Sequence, residues 1–179
     1  MDSFLFFFEQ MPTWQKLFWV MTCLGLSWIL EARLPLAQLQ YRKWHHAGAN
    51  FVFLGTTLSI NAVFSALALG VVAWTGATEF GLLHLFELPS VLEMLAAIII
   101  LDFTAQYFAH WLMHRVKFLW RFHVVHHSDT KVDATTGTRL HPGDFFVREC
   151  VALIALTLTG APLAYYVVYR ITTIFFTFV

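Results

Sequence analysis

The chain reads as four apolar stretches separated by polar connections. The first candidate span runs from Trp14 to Leu30, behind an apolar lead-in that includes Phe4 to Phe8. A helix needs about 20 apolar residues to cross the hydrocarbon, so this span borrows part of the lead-in. Glu31, Arg33 and Pro35 stop it. Ala47 to Thr78 contains no charged residue. It exceeds one crossing, which predicts a long tilted helix or a helix with apolar ends. Asn50 and Asn61 within it are expected to face other helices. Ser90 to about Lys117 predicts a further helix, apolar at its start and polar towards its end. Val151 to Tyr169 is the fourth stretch, broken or kinked at Gly160 and Pro162. Arg170 interrupts the apolar run behind it.

Composition strengthens that pattern. Of 179 residues, 59% are hydrophobic and 12% charged, against about a quarter charged in an ordinary soluble domain. The mean hydropathy is +0.66. The expected fold is therefore an all-α integral membrane protein of about four transmembrane helices, with residues 1–179 as a single domain. The formal net charge is zero, which gives nucleic acid no basic surface to bind. Lys and Arg gather in two segments, 33–43 and 115–148, while the loop Glu79 to Pro89 has two acids and no base. The positive-inside rule then places both basic segments in the cytoplasm, in a multi-pass topology. Cys23 and Cys150 lie in apolar runs and read as small buried hydrophobes, with no disulfide framework. The N-terminus lacks the positive n-region of a signal peptide.

The chemistry is concentrated between Asp102 and Pro142, which hold six of the nine histidines. His110 and His114 are four apart and share a helix face. If His123 to His127 is helical, His123 and His127 point one way and His126 lies about 100° round. That turn then serves two ions, or one ion and a supporting partner. Neutral imidazole binds zinc, iron, copper and nickel. Asp102, Gln106, His110 and His114 recur every fourth residue, a polar stripe that starts within the apolar region. An acid at that depth points to function, and Asp102 is placed to accept a ring N–H and fix a tautomer. His45 and His46 read as ordinary interfacial side chains, with support of the metal site as the alternative. His84 is assigned no role. A pH-sensitive histidine patch is the weaker account of two spaced groups. His110-Trp-Leu-Met-His114 lacks the glutamate of the zinc-protease helix. No Ser-His-Asp constellation or phosphate-binding glycine loop competes.

These residues resemble the fatty acid hydroxylase superfamily, also called the sterol desaturase family. Asp102, Tyr107, His110, His114 and Arg115 fit its first histidine box, D-x4-Y-x2-H-x3-H-R. Trp120 to Ser128 fits the second, W-R-x-H-x2-H-H-S, and Thr136 to Pro142 fits T-G-x-R-x-H-P. The resemblance implies a membrane oxidoreductase that uses O2 to hydroxylate or desaturate a C–H bond of a lipid, sterol or fatty acyl. It implies a centre of two irons, with zinc as the alternative in the isolated protein, and electrons from an external electron-transfer protein. His110, His114, His123, His126 and His127 carry over as metal ligands. His141 carries over as ligand or supporting residue, Asp102 as support, and Arg139 as positioning its loop. The family carries a further H-x2-H-H box, but no histidine follows His141 here. The expectation is a C-terminally incomplete chain: a truncated gene product, a gene split across two chains with a separate C-terminal fragment as partner, or a fragment. The alternatives are a non-catalytic membrane remnant and a zinc-binding structural membrane protein.

Overall fold

The computed structural model describes residues 2–34 and 41–178, and every regular element among them is helical. Helix α1 (Asp2–Glu9) is separated from α2 (Thr13–Arg33) at Pro12. Proline has no N–H to continue α1 and holds the preceding residue out of helical geometry. The expected lead-in is thus a helix of its own, packed on the C-terminal helix rather than extending the first span. Arg33 is the last residue of α2, and Pro35, part of the expected stop, lies outside the described residues.

Helix α3 (Lys43–Thr78) is unbroken for 36 residues. At 1.5 Å per residue it is roughly 54 Å long, well beyond a hydrocarbon core of about 30 Å. Val52, Val63 and Leu67 stand exposed along it, the pattern of a helix that meets lipid. After a 3-10 turn at Leu82–Leu85 come α4 (Ser90–Asp102), a π-helical segment (Phe103–Phe108) and α5 (Ala109–Arg115). These three form one rod. Among the described residues, it and the α3 rod are the two helices long and apolar enough to cross a membrane, against four expected from the sequence.

The stretch Phe118 to Glu149, expected to be a polar connection, is largely helical. It contains α6 (Lys117–His127), a 3-10 turn (Ala134–Thr138) and the start of α7 (Pro142–Thr159). Pro142 opens α7 at the first position, where its missing N–H costs nothing. The expected fourth span is divided between α7 and α8 (Leu163–Phe178). Gly160 ends α7 in a left-handed conformation, φ 67°. A Cβ there would run into the Phe80 carbonyl, and a Cβ on Gly81 would meet the Gly160 backbone. Arg170 does not interrupt α8. Its guanidinium reaches Glu149 at 2.7 Å and Asn61 at 2.6 Å, which compensates for removing that charge from water.

The buried stripe of the central rod is Ala97, Leu101, Ala105, Ala109 and Met113, each no more than 1% exposed. The upper part of it packs against Ala152, Ala155, Leu156, Ala164 and Tyr165, and the small side chains let the helices approach closely. A strict four-residue repeat over sixteen residues drifts by roughly 160° around an α-helix. The π segment absorbs one extra residue and removes about 100° of that drift. It keeps the buried stripe turned inward, with the polar stripe of Asp102, Gln106, His110 and His114 along its flank. The two basic segments meet at one end of the bundle. There Tyr41 donates to Asp133 at 2.6 Å and the Ala134 N–H donates to Glu31 at 2.9 Å.

Candidate metal centre

Val116 is the one extended residue between α5 and α6, with φ −97° and ψ 112°. It folds α6 back on α5 and turns the two histidine pairs towards each other. His110 and His114 come from α5, His123 and His127 from α6. One ring nitrogen of each lies within 4.8 Å of the others. Nε2 of His114 is 3.0 Å from Nε2 of His110, and Nε2 of His127 is 3.1 Å from Nε2 of His123. Imidazole nitrogens about 2.0–2.1 Å from a shared ion stand roughly 2.9–3.4 Å apart at angles near 90–109°. Within each pair the spacing therefore fits ligands of a divalent transition metal. His123 is fully buried, His110 partly so, and His114 and His127 reach the surface.

Charge favours neutral rings. Burial pushes His123, His126 and His127 below the ordinary imidazole value, and the Arg148 guanidinium pushes the same way. The Asp144 carboxylate opposes it without reversing the direction. A neutral ring keeps a lone pair for a cation.

The remaining expected residues are dispersed. His126 lies aside from the four, its ring centre 5.6 Å from His123 and 6.4 Å from His110. Its buried Nδ1 has no partner among the described residues. With His110 it lines a cavity of about 360 Å³ that runs between α3, α7 and α8 past Leu54, Leu58, Phe145 and Ile174. His141 accepts from the Gly143 N–H at 3.0 Å and stacks on Phe122, 5.0 Å between centres. It caps α7 and does not join the cluster. Asp102 is exposed and shares an open cleft with Gln106, His110, His114 and Arg148. No hydrogen bond joins it to a histidine among the described residues. Gln106 donates to the Tyr169 hydroxyl at 3.2 Å. Arg139 holds Asn50 and Ser128, each at 3.4 Å, and approaches Asp129 at 3.8 Å.

The carboxylate that does hold a ring is Asp144, fully buried, 2.6 Å from His123 Nδ1. Its other oxygen accepts from Arg148 at 2.7 Å. Neither residue was singled out from the sequence for a role at the histidines. Their spacing of four on one helix was a visible signal, but their burial against α6 was not. His46 is also engaged elsewhere. Its two ring nitrogens face Asp129 at 2.8 Å and Asp133 at 3.1 Å, and neither touches the imidazole cluster.

The site is thus an all-nitrogen cluster on a helical hairpin, at the end of long apolar helices. Residues 94–179 match the fatty acid hydroxylase family. The chain is 35% identical over 75 residues to the ornithine lipid hydroxylase OlsE of Rhizobium tropici, covering 42% of this chain and 22% of the relative. It is 38% identical over 84 residues to a cholesterol 25-hydroxylase-like protein of Caenorhabditis elegans, covering 45% of this chain and 27% of the relative. The chain thus spans about a quarter of the length of these curated relatives. No solved structure matches it.

Proposed function

We propose that this chain is the histidine-bearing part of a membrane-bound lipid hydroxylase, an O2-dependent oxidoreductase acting on a sterol or fatty acyl C–H bond. Desaturation at the same site is the close variant. The observation that carries the reading is the convergence of four imidazoles within 4.8 Å, beside a cavity that is mostly apolar and reaches His110 of the four and His126. Iron held there would supply the O2 activation and C–H oxidation that no side chain can perform. The chain's own residues do the rest. His110, His114, His123 and His127 bind the ion, and Asp144 orients His123. Leu54, Leu58, Phe145 and Ile174 receive the lipid carbon skeleton from within the bundle. Asp102, in the open cleft beside His110 and His114, adds negative charge where a cation sits. Arg139 positions the 134–138 turn.

Four nitrogens complete one ion. In this proposal His126 is the first donor to a second iron, and further donors come from a C-terminal portion, in the same chain or as a separate fragment. Residues 1–179 form one membrane domain with four crossings. The two basic segments meet at one end, which supports a cytoplasmic histidine cluster under the positive-inside rule. Electrons come from an external electron-transfer protein. A second reading, a structural zinc site, is favoured by the same four-nitrogen set.

The test is iron content. The chain, purified in detergent micelles and loaded with ferrous iron without oxygen, is expected to retain at least one iron, lost in His123→Ala and His127→Ala. A helical sample that retains zinc but never iron would support the structural site. One that retains neither overturns both readings.

A further inference from the structure

Asp144 and Arg148 form one ion pair that touches both histidine helices, and its two ends dictate opposite tautomers. Asp144 Oδ2 lies 2.6 Å from His123 Nδ1, and Oδ1 accepts from Arg148 Nε at 2.7 Å. Arg148 Nη2 lies 3.2 Å from His110 Nδ1. An ionised carboxylate only accepts, so His123 carries a proton on Nδ1 and turns the Nε2 lone pair to the cluster. A guanidinium only donates, so His110 Nδ1 must accept. The neutral His110 ring then holds its proton on Nε2, the atom that faces His114 at 3.0 Å. One imidazole is ready for a cation, and the other is blocked by its own proton. The positive charge of Arg148 opposes a cation in the same direction.

We infer that Asp144 and Arg148 are positioning residues of opposite sign: Asp144 tightens metal binding through His123, and Arg148 weakens it through His110. The inference rests on the reading of the four imidazoles as a metal centre. It divides them into three committed ligands and one that engages only when Arg148 withdraws. Three protein ligands with a fourth position left open is the pattern that separates catalytic from structural metal sites.

The test uses the full chain in micelles, with cobalt(II) titrations followed by visible absorption and nitrogen NMR of the histidine rings before metal is added. Asp144→Asn is expected to weaken cobalt binding by about 10–100-fold, the range for residues that support a ligand. Arg148→Gln is uncharged, and its amide oxygen can accept from His110 Nδ1–H. It is expected to tighten binding by about tenfold and to move the His110 proton from Nε2 to Nδ1. Arg148→Lys keeps the charge and the donor and is expected to bind like the wild type. A purely structural ion pair predicts weaker binding in every variant. Arg148→Gln binding no tighter than wild type, in a sample of wild-type helicity by circular dichroism, overturns the inference. So does a wild-type spectrum with the His110 proton on Nδ1. If the wild-type chain takes up no cobalt, the metal reading fails, and the nitrogen spectra alone decide the tautomers.

Discussion

Two histidine–carboxylate clusters stand at the same end of the bundle and are built on opposite plans. In the first, four imidazoles face one another and a single carboxylate, Asp144, stands behind them. In the second, one imidazole, His46, lies between two carboxylates, Asp129 and Asp133. Tyr41 and Thr135 donate to Asp133 and Thr136 donates to Asp129, each within 2.7 Å. The second cluster meets its own hydrogen-bonding needs. Acceptors and donors are matched, and the product is a bracket that ties the start of α3 to the 134–138 turn. The first leaves lone pairs converging with too few protons to share. Convergent acceptors with too few donors, rather than the number of acids and histidines, mark the place where a cation belongs.

The largest expected effect separates the two at once. His123→Ala removes a ligand and leaves buried Asp144 facing a void. Cobalt or zinc affinity, measured by competition with a chelator, is expected to fall by more than about 100-fold, beyond the range for supporting residues. His46→Ala is expected to leave that affinity nearly unchanged. Equal losses in the two variants would merge the clusters into one site.

The second effect runs the other way. Asp133→Ala deprives Tyr41, His46 and both donors of Thr135 of their acceptor. It also removes the cap of the 134–138 turn. Losing a buried, multiply bonded carboxylate is expected to cost about 2–4 kcal/mol, read by thermal unfolding in micelles, with a smaller change in metal affinity than His123→Ala causes. A collapse of metal binding without loss of stability would contradict the bracket.

Acid should also tell the clusters apart. His123, His126 and His127 are held below the ordinary value, chiefly by burial. Between their folded values and the unfolded value of about 6.5, the unfolded chain binds more protons. The contribution of these rings to stability without metal is therefore present above about pH 6.5. It is lost as the pH falls towards the folded values. Ring-proton NMR is expected to give these histidines midpoints below about 6.5; midpoints above it would remove burial as the reason the lone pairs stay free.

The metal centre was more legible in the sequence than its supports, for a physical reason. Ligand spacing is local. His110 and His114, and His123 and His127, share a face because of helical geometry alone, and His126 falls aside as the same geometry requires. The support of a ligand depends on what packs behind it. Asp102 looked like the supporting acid because it lies on the histidine stripe, but the π segment governs where that stripe points. The acid that reaches a ring comes from α7, a helix read as loop up to Glu149. His141-Pro142 was a visible start for α7, read instead as part of a histidine motif. The apolar pattern gave the long rods correctly. It placed a break at Gly160, where α7 ends, but stopped the stretch at Tyr169, because Arg170, held by Glu149 and Asn61, looks like an end when its partners are out of sight.

The smallest expected effect tests the residue that ties the two clusters together. Arg139 belongs by motif to the histidine segment, yet its guanidinium contacts Asn50 and Ser128 and nears Asp129, on the bracket side. All three distances are long, at 3.4, 3.4 and 3.8 Å, where hydrogen bonds weaken and ion pairs add little. Nε is buried without a partner among the described residues, a cost that offsets part of what the other contacts contribute. Arg139→Gln keeps most of the packing volume and removes the charge. It is expected to shift stability by less than about 1 kcal/mol and to leave cobalt affinity at the wild-type level. A tenfold loss of metal with unchanged stability would move Arg139 from the bracket to the metal centre, and the 134–138 turn with it.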